Sequence, residues 1–512
     1  MQGLLSGIAF AAGYGLGVFG MWLWAYMELQ TFEGRPRRIV KLAAAIVCVV
    51  IAAIYLWSAS DWQDSIRGLM ELEPVQSTRP LEVGAIAVMI FVVLVGVARL
   101  FKLTFYAVSR RLDGFVPRRV SRVVGFTLAA VLFFTIFNGV IFQAGLDFAD
   151  AALAELDALQ EPGLEKPSDP DKTGSVVSLV EWGSLGRKGR SFVSSGPTRE
   201  DLAAFSGREA LDPLRVYVGL RSADTVGARA KLALEELKRV GGFDRSTLII
   251  ATPTGTGWLD AAAVDTVEYL HGGDVAIVAM QYSYLFSWLS IFVEPGYGTD
   301  AARALFAEVY GHWTKLSRES RPKLYLHGLS LGALSSESSA DLFDVLADPF
   351  HGAVWSGPPF PSRFWRSVTD DRHAESPAWL PRFRDGSLVR FTNQENALDI
   401  PGATWGPMRI VYVQYASDPI TFFEVAAFHR QPEWMNEPRG PDVSPALRWY
   451  PGVTFLQLAG DVIASGTSPM GFGHVFAPAH YIDAWLEVTQ PPGWTEEDIA
   501  RLKRHFEKFG ST

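Results

Sequence analysis

One serine carries the clearest chemical signal in the sequence. Ser330 is the centre of the pentapeptide Gly-Leu-Ser-Leu-Gly at residues 328–332, a G-x-S-x-G pattern. The apolar run Lys323–Leu326 precedes it and the helix-like segment Leu331–Leu346 follows it, which is the strand–turn–helix context of a nucleophilic serine. The flanking glycines lack the Cβ atoms that would collide in so sharp a turn. We therefore predict Ser330 as a nucleophile; the alternative is a glycine-bounded turn with an incidental serine.

A serine hydroxyl is a poor nucleophile unless a base removes its proton and a carboxylate orients that base. Asp418 follows the apolar run Arg409–Tyr415, and His474 lies in the loop Gly-Phe-Gly-His at residues 471–474. Acid and base thus follow the serine in the chain order that accompanies a serine on such a turn. The predicted catalytic residues are Ser330, Asp418 and His474.

Other residues compete for two of these roles. Asp461, which follows the apolar run Val453–Leu458, is an alternative acid or the cap of a turn. His480, six residues after His474, is an alternative base. His474 is preferred because catalytic groups favour loops carried by a rigid scaffold.

Acyl transfer also requires hydrogen-bond donors for the negatively charged oxygen of its intermediate. One expected donor is the backbone N–H of Leu331, and the others are expected at Thr254, Gly255 and Thr256, in the loop that follows the run 247–251. This loop lacks the lysine that a phosphate-binding loop requires, so a nucleotide site is not expected.

The segment Gln281–Phe292 combines serines with aromatic side chains. It suits an acyl-chain pocket or a membrane interface, and ordinary core packing is the alternative. Tyr282, Tyr284 and Trp258 are the predicted substrate-binding residues. No His, Asp and Glu cluster has metal-ligand spacing, and the single cysteine, Cys48, lies far from these motifs, so we expect neither a catalytic metal, nor a cofactor, nor a cysteine nucleophile.

These residues need a sheet to position them, and the C-terminal part of the sequence has the pattern of one. Apolar, β-branched runs alternate there with helix-like segments, which predicts an α/β fold with a mainly parallel sheet covered by helices. Sites in such folds gather at the carboxyl ends of the strands. The predicted strands are Leu214–Val218, Thr247–Ala251, Val275–Met280, Lys323–Leu326, Ala353–Trp355, Arg409–Tyr415 and Val453–Leu458, and the predicted helices are Asp224–Val240, Thr299–Glu319, Leu331–Leu346, Ile420–Phe428 and Val475–Leu486.

The N-terminal part is much more apolar. Of the 512 residues 48% are hydrophobic and 20% are charged, which excludes a disordered chain, and the charge-free stretches concentrate at 3–27, 42–60, 83–98 and 123–146. A membrane-spanning helix needs about 20 residues, and the shorter third stretch can rely on polar ends that reach the headgroups. We predict an all-α domain of four transmembrane helices (1–146), a linker (147–213) and a catalytic domain (214–512).

Charged loops predict the orientation of these spans. Basic residues concentrate between spans one and two and between spans three and four, whereas the middle loop is mainly acidic. The positive-inside rule then places the N-terminus and everything after Leu146 outside the cytoplasm. Nucleic-acid binding by the basic loops is not expected, since their position beside apolar spans has this simpler explanation. Transport is disfavoured because the spans contain few ionisable groups.

The motifs together resemble a known family. The C-terminal part resembles the α/β-hydrolase superfamily in two features: the sharp turn that carries Ser330, and the chain order of the serine, aspartate and histidine. The segments LRVYVGL, ATPTGTGW, MQYSYL, LYLHGLSLGA and GFGH, preceded by four spans, look like a bacterial family of membrane-anchored α/β-hydrolases with a separately defined N-terminal membrane domain. The resemblance covers almost the whole chain and implies an α/β-hydrolase fold with Ser330 as nucleophile.

The expected function is therefore a serine hydrolase, esterase- or lipase-like, that acts on a lipid or another acylated ester of the cell envelope. The expected location is the bacterial inner membrane, with the catalytic domain on the extracytoplasmic side. Two alternatives remain: an acyltransferase that uses the same acyl-enzyme, and a catalytically idle scaffold that binds an envelope lipid or protein.

Overall fold

The computed structural model describes residues 1–29, 34–75, 79–286, 289–290 and 295–507. The chain forms two compact units. One comprises Met1–Phe148 together with Phe428–Arg430 and Val443–Gly460, and the other comprises Ala149–Ala427, Gln431–Asp442 and Asp461–Thr512.

The first unit is built on four long apolar helices. They are α1 (Gln2–Tyr26), α2 (Arg35–Leu69), α3 (Pro80–Leu112) and a fourth, Arg118–Ala158, made of α4 (Arg118–Phe134), a π-helical stretch (Thr135–Phe142) and α5 (Gln143–Ala158). Each is long and apolar enough to cross a membrane, which confirms the predicted four-helix N-terminal region and indicates a membrane protein. The short third stretch is part of a 33-residue helix.

Small residues allow these helices to approach each other closely. Gly3 and Gly7 lie one turn apart on α1, and a Cβ atom at either would come within 2.8 Å of a side-chain atom of Ile86 or Ile90 on α3. Gly125 on α4 packs in the same way against Ser109 on α3. Helices in lipid associate through such close backbone contacts because burial of apolar surface gives no driving force there.

Two segments of the C-terminal half belong to this helical unit, and the longer one contains a predicted strand. The predicted strand Val453–Leu458 is wrong: it forms the start of a helix, α14 (Val453–Ala464). Its apolar residues recur with helical rather than alternating spacing, since Val453, Leu456 and Gly460 are three to four residues apart. Gly460 contacts Leu5 of α1 inside the unit. Asp461 therefore lies on a helix and not at the end of a strand.

The second unit contains a parallel sheet of seven strands in the order β1-β3-β2-β4-β5-β7-β6. This confirms the predicted α/β architecture. β6 is missing from the sequence prediction because only two of its four residues, Val389 and Phe391, are apolar. The strands are β1 (Leu214–Val218), β2 (Thr247–Thr252), β3 (Val275–Met280), β4 (Lys323–Leu329), β5 (Gly352–Ser356), β6 (Val389–Thr392) and β7 (Arg409–Val413).

Helices cover this sheet. They are α6 (Gly186–Ser194), α7 (Arg199–Ser206), α8 (Val226–Arg239), α9 (Ala261–Leu270), α10 (Pro295–Trp313), α11 (Leu331–Glu337), α12 (Leu342–Val345), α13 (Arg363–Asp370), α15 (Pro478–Thr489) and α16 (Glu496–Glu507).

Two predicted helices differ from the structure. The predicted helix Leu331–Leu346 is interrupted between α11 and α12, where the Ser339 hydroxyl donates to the Ser336 carbonyl and so competes with the helical backbone. Ile420–Phe428 is irregular apart from the 3₁₀ turn Val425–Phe428. The linker 147–213, in which an ordered patch around Leu179–Val193 was expected, contains α6 and α7.

Strand register brings four loops to one edge of the sheet. Thr252 at the end of β2 is paired with Gly328, and Leu329 at the end of β4 is paired with Ser356. Ser356 is in turn paired with Val413 at the end of β7. The residues that follow these strands, including Ser330, therefore meet at the carboxyl edge of the sheet.

Candidate active site

Ser330 occupies a strained turn between β4 and α11. Its backbone has φ 58° and ψ −127°, a region that costs a residue with a side chain about 1–3 kcal/mol. Its N–H donates to the carbonyl of Ser356 at 2.9 Å. A Cβ atom on Gly328 would collide with the carbonyl of Gly332, and one on Gly332 would collide with that of Thr252. Both glycines are thus required by the backbone packing of this turn.

The imidazole of His474 is held by a buried carboxylate. Nδ1 of His474 lies 2.7 Å from Oδ2 of Asp418, a side chain with no solvent exposure. The same carboxylate accepts the backbone N–H of Ile420 at 2.8 Å and the hydroxyl of Thr421 at 3.1 Å. Because the carboxylate requires Nδ1 to carry the proton, the lone pair is on Nε2. Among the described residues this buried Nε2 has no hydrogen-bond partner, so it is available to accept a proton.

The ring of His474 lies beside the serine turn. A Cβ atom on Gly357 would be 2.6 Å from Cε1 and 2.8 Å from Nδ1 of that ring. Gly357 directly follows Ser356, whose carbonyl holds the N–H of Ser330. Ser330 and His474 also line one cavity of about 1120 Å³. The structure therefore brings together the serine, histidine and aspartate that the sequence singled out.

Comparison with known families now decides the identity of this scaffold. Residues 214–502 match the model of an alpha/beta-hydrolase family, and residues 1–197 match the model of that family's N-terminus. The chain belongs to this alpha/beta-hydrolase family. No curated protein and no solved structure matches the chain significantly.

In this member of the alpha/beta-hydrolase family, the alternative base predicted from the sequence, His480, has a different environment. It lies on α15, where its Nδ1 accepts the hydroxyl of Tyr415, and burial lowers the pKa of His480 to about 4. The Tyr415 oxygen accepts the backbone N–H of Ala477 at 3.0 Å. His480 and Tyr415 thus hold the end of the loop that carries His474.

A second histidine lies beneath the serine turn of the hydrolase. His327 is buried, with Nδ1 2.8 Å from the carbonyl of Val354, and burial lowers its pKa to about 4. Its ring packs against Trp485 at 5.6 Å between centroids. This neutral, enclosed ring supports the turn from within the core.

The predicted oxyanion donors have different environments. Leu331 is the first residue of α11, so its N–H has no acceptor within the helix. The N–H of Thr254 donates to the carbonyl of Trp258 at 2.9 Å and is therefore used by the turn itself. Thr254 and Thr256 line the cavity with Ser330. Thr256 therefore stays a predicted donor.

Two of the three predicted substrate-binding residues line the cavity, and the third does not. Trp258 and Tyr284 line the cavity. Tyr282 is instead buried, where it packs against Gly298. Of the aromatic segment Gln281–Phe292, residues 287–288 and 291–292 lie outside the described residues.

Several cavity residues carried no signal in the sequence. Leu153 and Leu156 of α5 and Met470 line the cavity with Ser330, although the two leucines precede the serine by more than 170 residues. Only their helical spacing, three residues apart within the predicted linker, indicated a shared face. Phe286 also lines the cavity and belongs to the segment Gln281–Phe292, which the sequence predicted for an acyl-chain pocket or a membrane interface.

One further acid lies in the cavity wall. Asp260 is buried and caps α9 by accepting the N–H of Ala262 at 3.0 Å. Burial raises the pKa of Asp260 to about 6. The hydroxyl of Tyr481 hydrogen-bonds to this carboxyl and to Oγ of Ser356. An aspartate directly after a glycine-rich turn and before an alanine-rich helix is the cap signal that could have identified it.

The described part of the chain places no group of three or more His, Cys, Asp or Glu side chains where they could hold a metal ion.

Proposed function

We propose that this protein is a membrane-anchored serine hydrolase that cleaves acyl esters with Ser330, His474 and Asp418. The observation that carries the proposal is the combination of the strained serine turn with a histidine whose Nδ1 is held by Asp418 and whose Nε2 has no partner among the described residues. The first feature presents a nucleophile to the cavity, and the second supplies its base.

In the first half of the reaction Oγ of Ser330 attacks the ester carbonyl carbon while Nε2 of His474 takes the hydroxyl proton. The negative charge that develops on the carbonyl oxygen is stabilised by the N–H of Leu331 and by a donor in the loop of Thr256. The intermediate collapses when His474 gives the proton to the leaving alcohol, and the acyl group stays on Ser330.

In the second half a water molecule gives a proton to His474 and attacks the acyl carbon. Collapse of this second intermediate releases the carboxylic acid and returns the proton to Ser330. Through both halves Asp418 holds the Nδ1–H tautomer of His474 and stabilises the imidazolium. An alcohol in place of this water would make the protein an acyltransferase, which product analysis distinguishes.

The strain at Ser330 argues against an idle scaffold. A residue with a side chain keeps a positive φ only where the surrounding structure imposes it, and such strain concentrates at active sites. In a protein that only binds, a glycine at this position would relieve the strain without loss.

Labelling with a fluorophosphonate probe in membranes tests the nucleophile. Wild-type protein should be labelled and Ser330→Ala should not, while Ser338→Ala, a partly buried serine beyond the end of α11, should label like wild type. Undiminished labelling of Ser330→Ala would refute the proposal.

The base is tested by comparing two histidines. His474→Ala should abolish ester hydrolysis, whereas His480→Ala should retain part of it, because His480 acts only through Tyr415. If His480→Ala is the inactive variant and His474→Ala stays active, the assignment of the base is wrong.

We also propose that the catalytic unit lies outside the cytoplasm and that envelope esters are its substrates. The support is the concentration of basic residues in the first and third loops between the four apolar helices.

A further inference from the structure

The cavity beside Ser330 is larger than the reacting ester group needs. Its volume is about 1120 Å³, compared with roughly 300–1,000 Å³ for pockets that enclose drug-sized ligands. An acetyl group would leave almost all of this space to water. A substrate that fills it must therefore carry a large part that does not react.

The lining of the cavity exposes several large apolar side chains. The exposed fraction is 48% for Leu156, 38% for Trp258, 51% for Phe286 and 44% for Met470. Single exposed apolar residues are ordinary, but a group of them around one cavity indicates a binding surface. The ligand that covers them is apolar, because only apolar surface gains free energy by removing them from water.

Most charged side chains of the lining already form hydrogen bonds or ion pairs with neighbouring residues. They therefore do not require a charged ligand. Asp157, for example, accepts the backbone N–H of Arg187. The other bonded pairs are Asp265 with Arg215, Arg187 with Glu161, Asp201 with Thr198 and Asp260 with the N–H of Ala262.

We infer that the substrate is a lipid ester whose long acyl chain lies in this cavity, against Leu156, Trp258 and Phe286. This inference rests on the proposed function, since the chain must reach Ser330 as part of the ester. Such chains reside in bilayers, and the same protein carries four helices able to cross one. Leu153 and Leu156 belong to α5, the last part of the fourth of these helices, Arg118–Ala158.

The length of the acyl chain determines how large a change in kcat/KM we expect. Burial of one methylene group increases kcat/KM up to about fourfold. From a two-carbon to an eight-carbon acyl group, six methylenes are added, and even half of this effect per methylene amounts to about 60-fold.

The experiment measures kcat/KM for p-nitrophenyl esters of two to sixteen carbons, with the full-length protein in detergent. We expect kcat/KM to rise at least 30-fold from the two-carbon to the eight- or twelve-carbon ester. A flat series, or a maximum at the two-carbon ester, would overturn the inference.

Variants of the cavity wall locate the chain. Leu156→Ser and Phe286→Ala should lower kcat/KM for the twelve-carbon ester three- to tenfold and should lower it less for the two-carbon ester. Leu388→Ser is the matched control, because Leu388 is 39% exposed in the same unit and does not line the cavity. Equal losses for both esters, or a similar loss in the control, would contradict a chain site in this wall.

Failure of this inference and failure of the proposed function give different results. Ser330-dependent labelling with a flat chain-length series refutes the chain site and leaves the hydrolase intact, whereas hydrolysis that survives Ser330→Ala refutes the hydrolase proposal. Release of dodecanoate from phospholipid vesicles or from dodecanoyl glucose identifies the carrier of the chain. Release from neither would overturn the lipid-ester assignment.

Discussion

Gly357 offers the sharpest test of how the base is positioned. This glycine has φ +48° and contacts the ring of His474, so Gly357→Ala adds a methyl group at a point where the structure has no room. The residue binds nothing and carries no charge. Its substitution therefore tests geometry alone.

The size of the effect follows from the contact distances. The new Cβ atom would lie 2.6 Å from Cε1 of His474, whereas ordinary contact begins at 3.4 Å, so the ring must move about 0.8 Å. The hydrogen bond from Nδ1 to Asp418 is only 2.7 Å long and would be lengthened or tilted by this movement. Misplacement of a catalytic group by about 1 Å can lower the rate 10²-fold. We expect kcat to fall about 10²-fold with little change in KM.

Backbone strain has to be separated from the clash. Gly402 also has a positive φ, +77°, and a Cβ atom there would meet nothing within 4 Å. Gly402→Ala should therefore show the strain, about 1–2 kcal/mol of stability, without a loss of activity. Hydrolysis of a p-nitrophenyl ester and the midpoint of thermal unfolding are measured for both variants. A kcat for Gly357→Ala within twofold of that for Gly402→Ala would refute this account of the base.

Three further predictions concern the acid, a buried carboxyl and the membrane orientation. Asp418→Asn should lower kcat about 10³- to 10⁴-fold by favouring the wrong imidazole tautomer, and Asp461→Asn should not; the reverse result in steady-state kinetics would exchange their roles. Asp260 has a folded-state pKa of about 6 against an ordinary 3.8, so its contribution to stability is fully present below pH 4 and decreases as the pH rises to 6, by about 3 kcal/mol in all. Asp260→Asn, which keeps a helix cap, should lose this part of the pH dependence of thermal unfolding, and an unchanged profile would contradict it. An alkaline phosphatase fused to the C-terminus should be active if the catalytic unit faces outward, and an inactive one beside an active cytoplasmic reporter would reverse the orientation.

Local sequence patterns were sufficient for most of the elements. The glycines around Ser330 predicted a sharp turn because their requirement is steric and short-range, and the structure shows both packed against backbone atoms. The charge-free stretches predicted four helices because a bilayer imposes one length and one composition on every span. Buried parallel strands were recognisable as apolar, β-branched runs because a sheet covered on both faces requires apolar residues along the whole strand.

Patterns failed where an apolar run is compatible with two structures. Val453–Leu458 has strand-like composition, yet it begins α14 and packs in the helical unit. Short apolar runs fit a buried helix as well as a strand, so only the packing partner decides between them. β6 was missed because its four residues include only two apolar ones, Val389 and Phe391.

The sequence by itself determined the fold class, the four apolar helices and the candidate nucleophile, since each depends on residues that are close together in the chain. The tertiary structure decided which histidine faces which partner: His474 is bonded to Asp418, and His480 to Tyr415. It also decided that Leu156 lines the cavity of Ser330 and that Tyr282 is buried. These contacts join residues far apart in the chain, because the order of strands in the sheet, and not the spacing of residues along the sequence, brings them together.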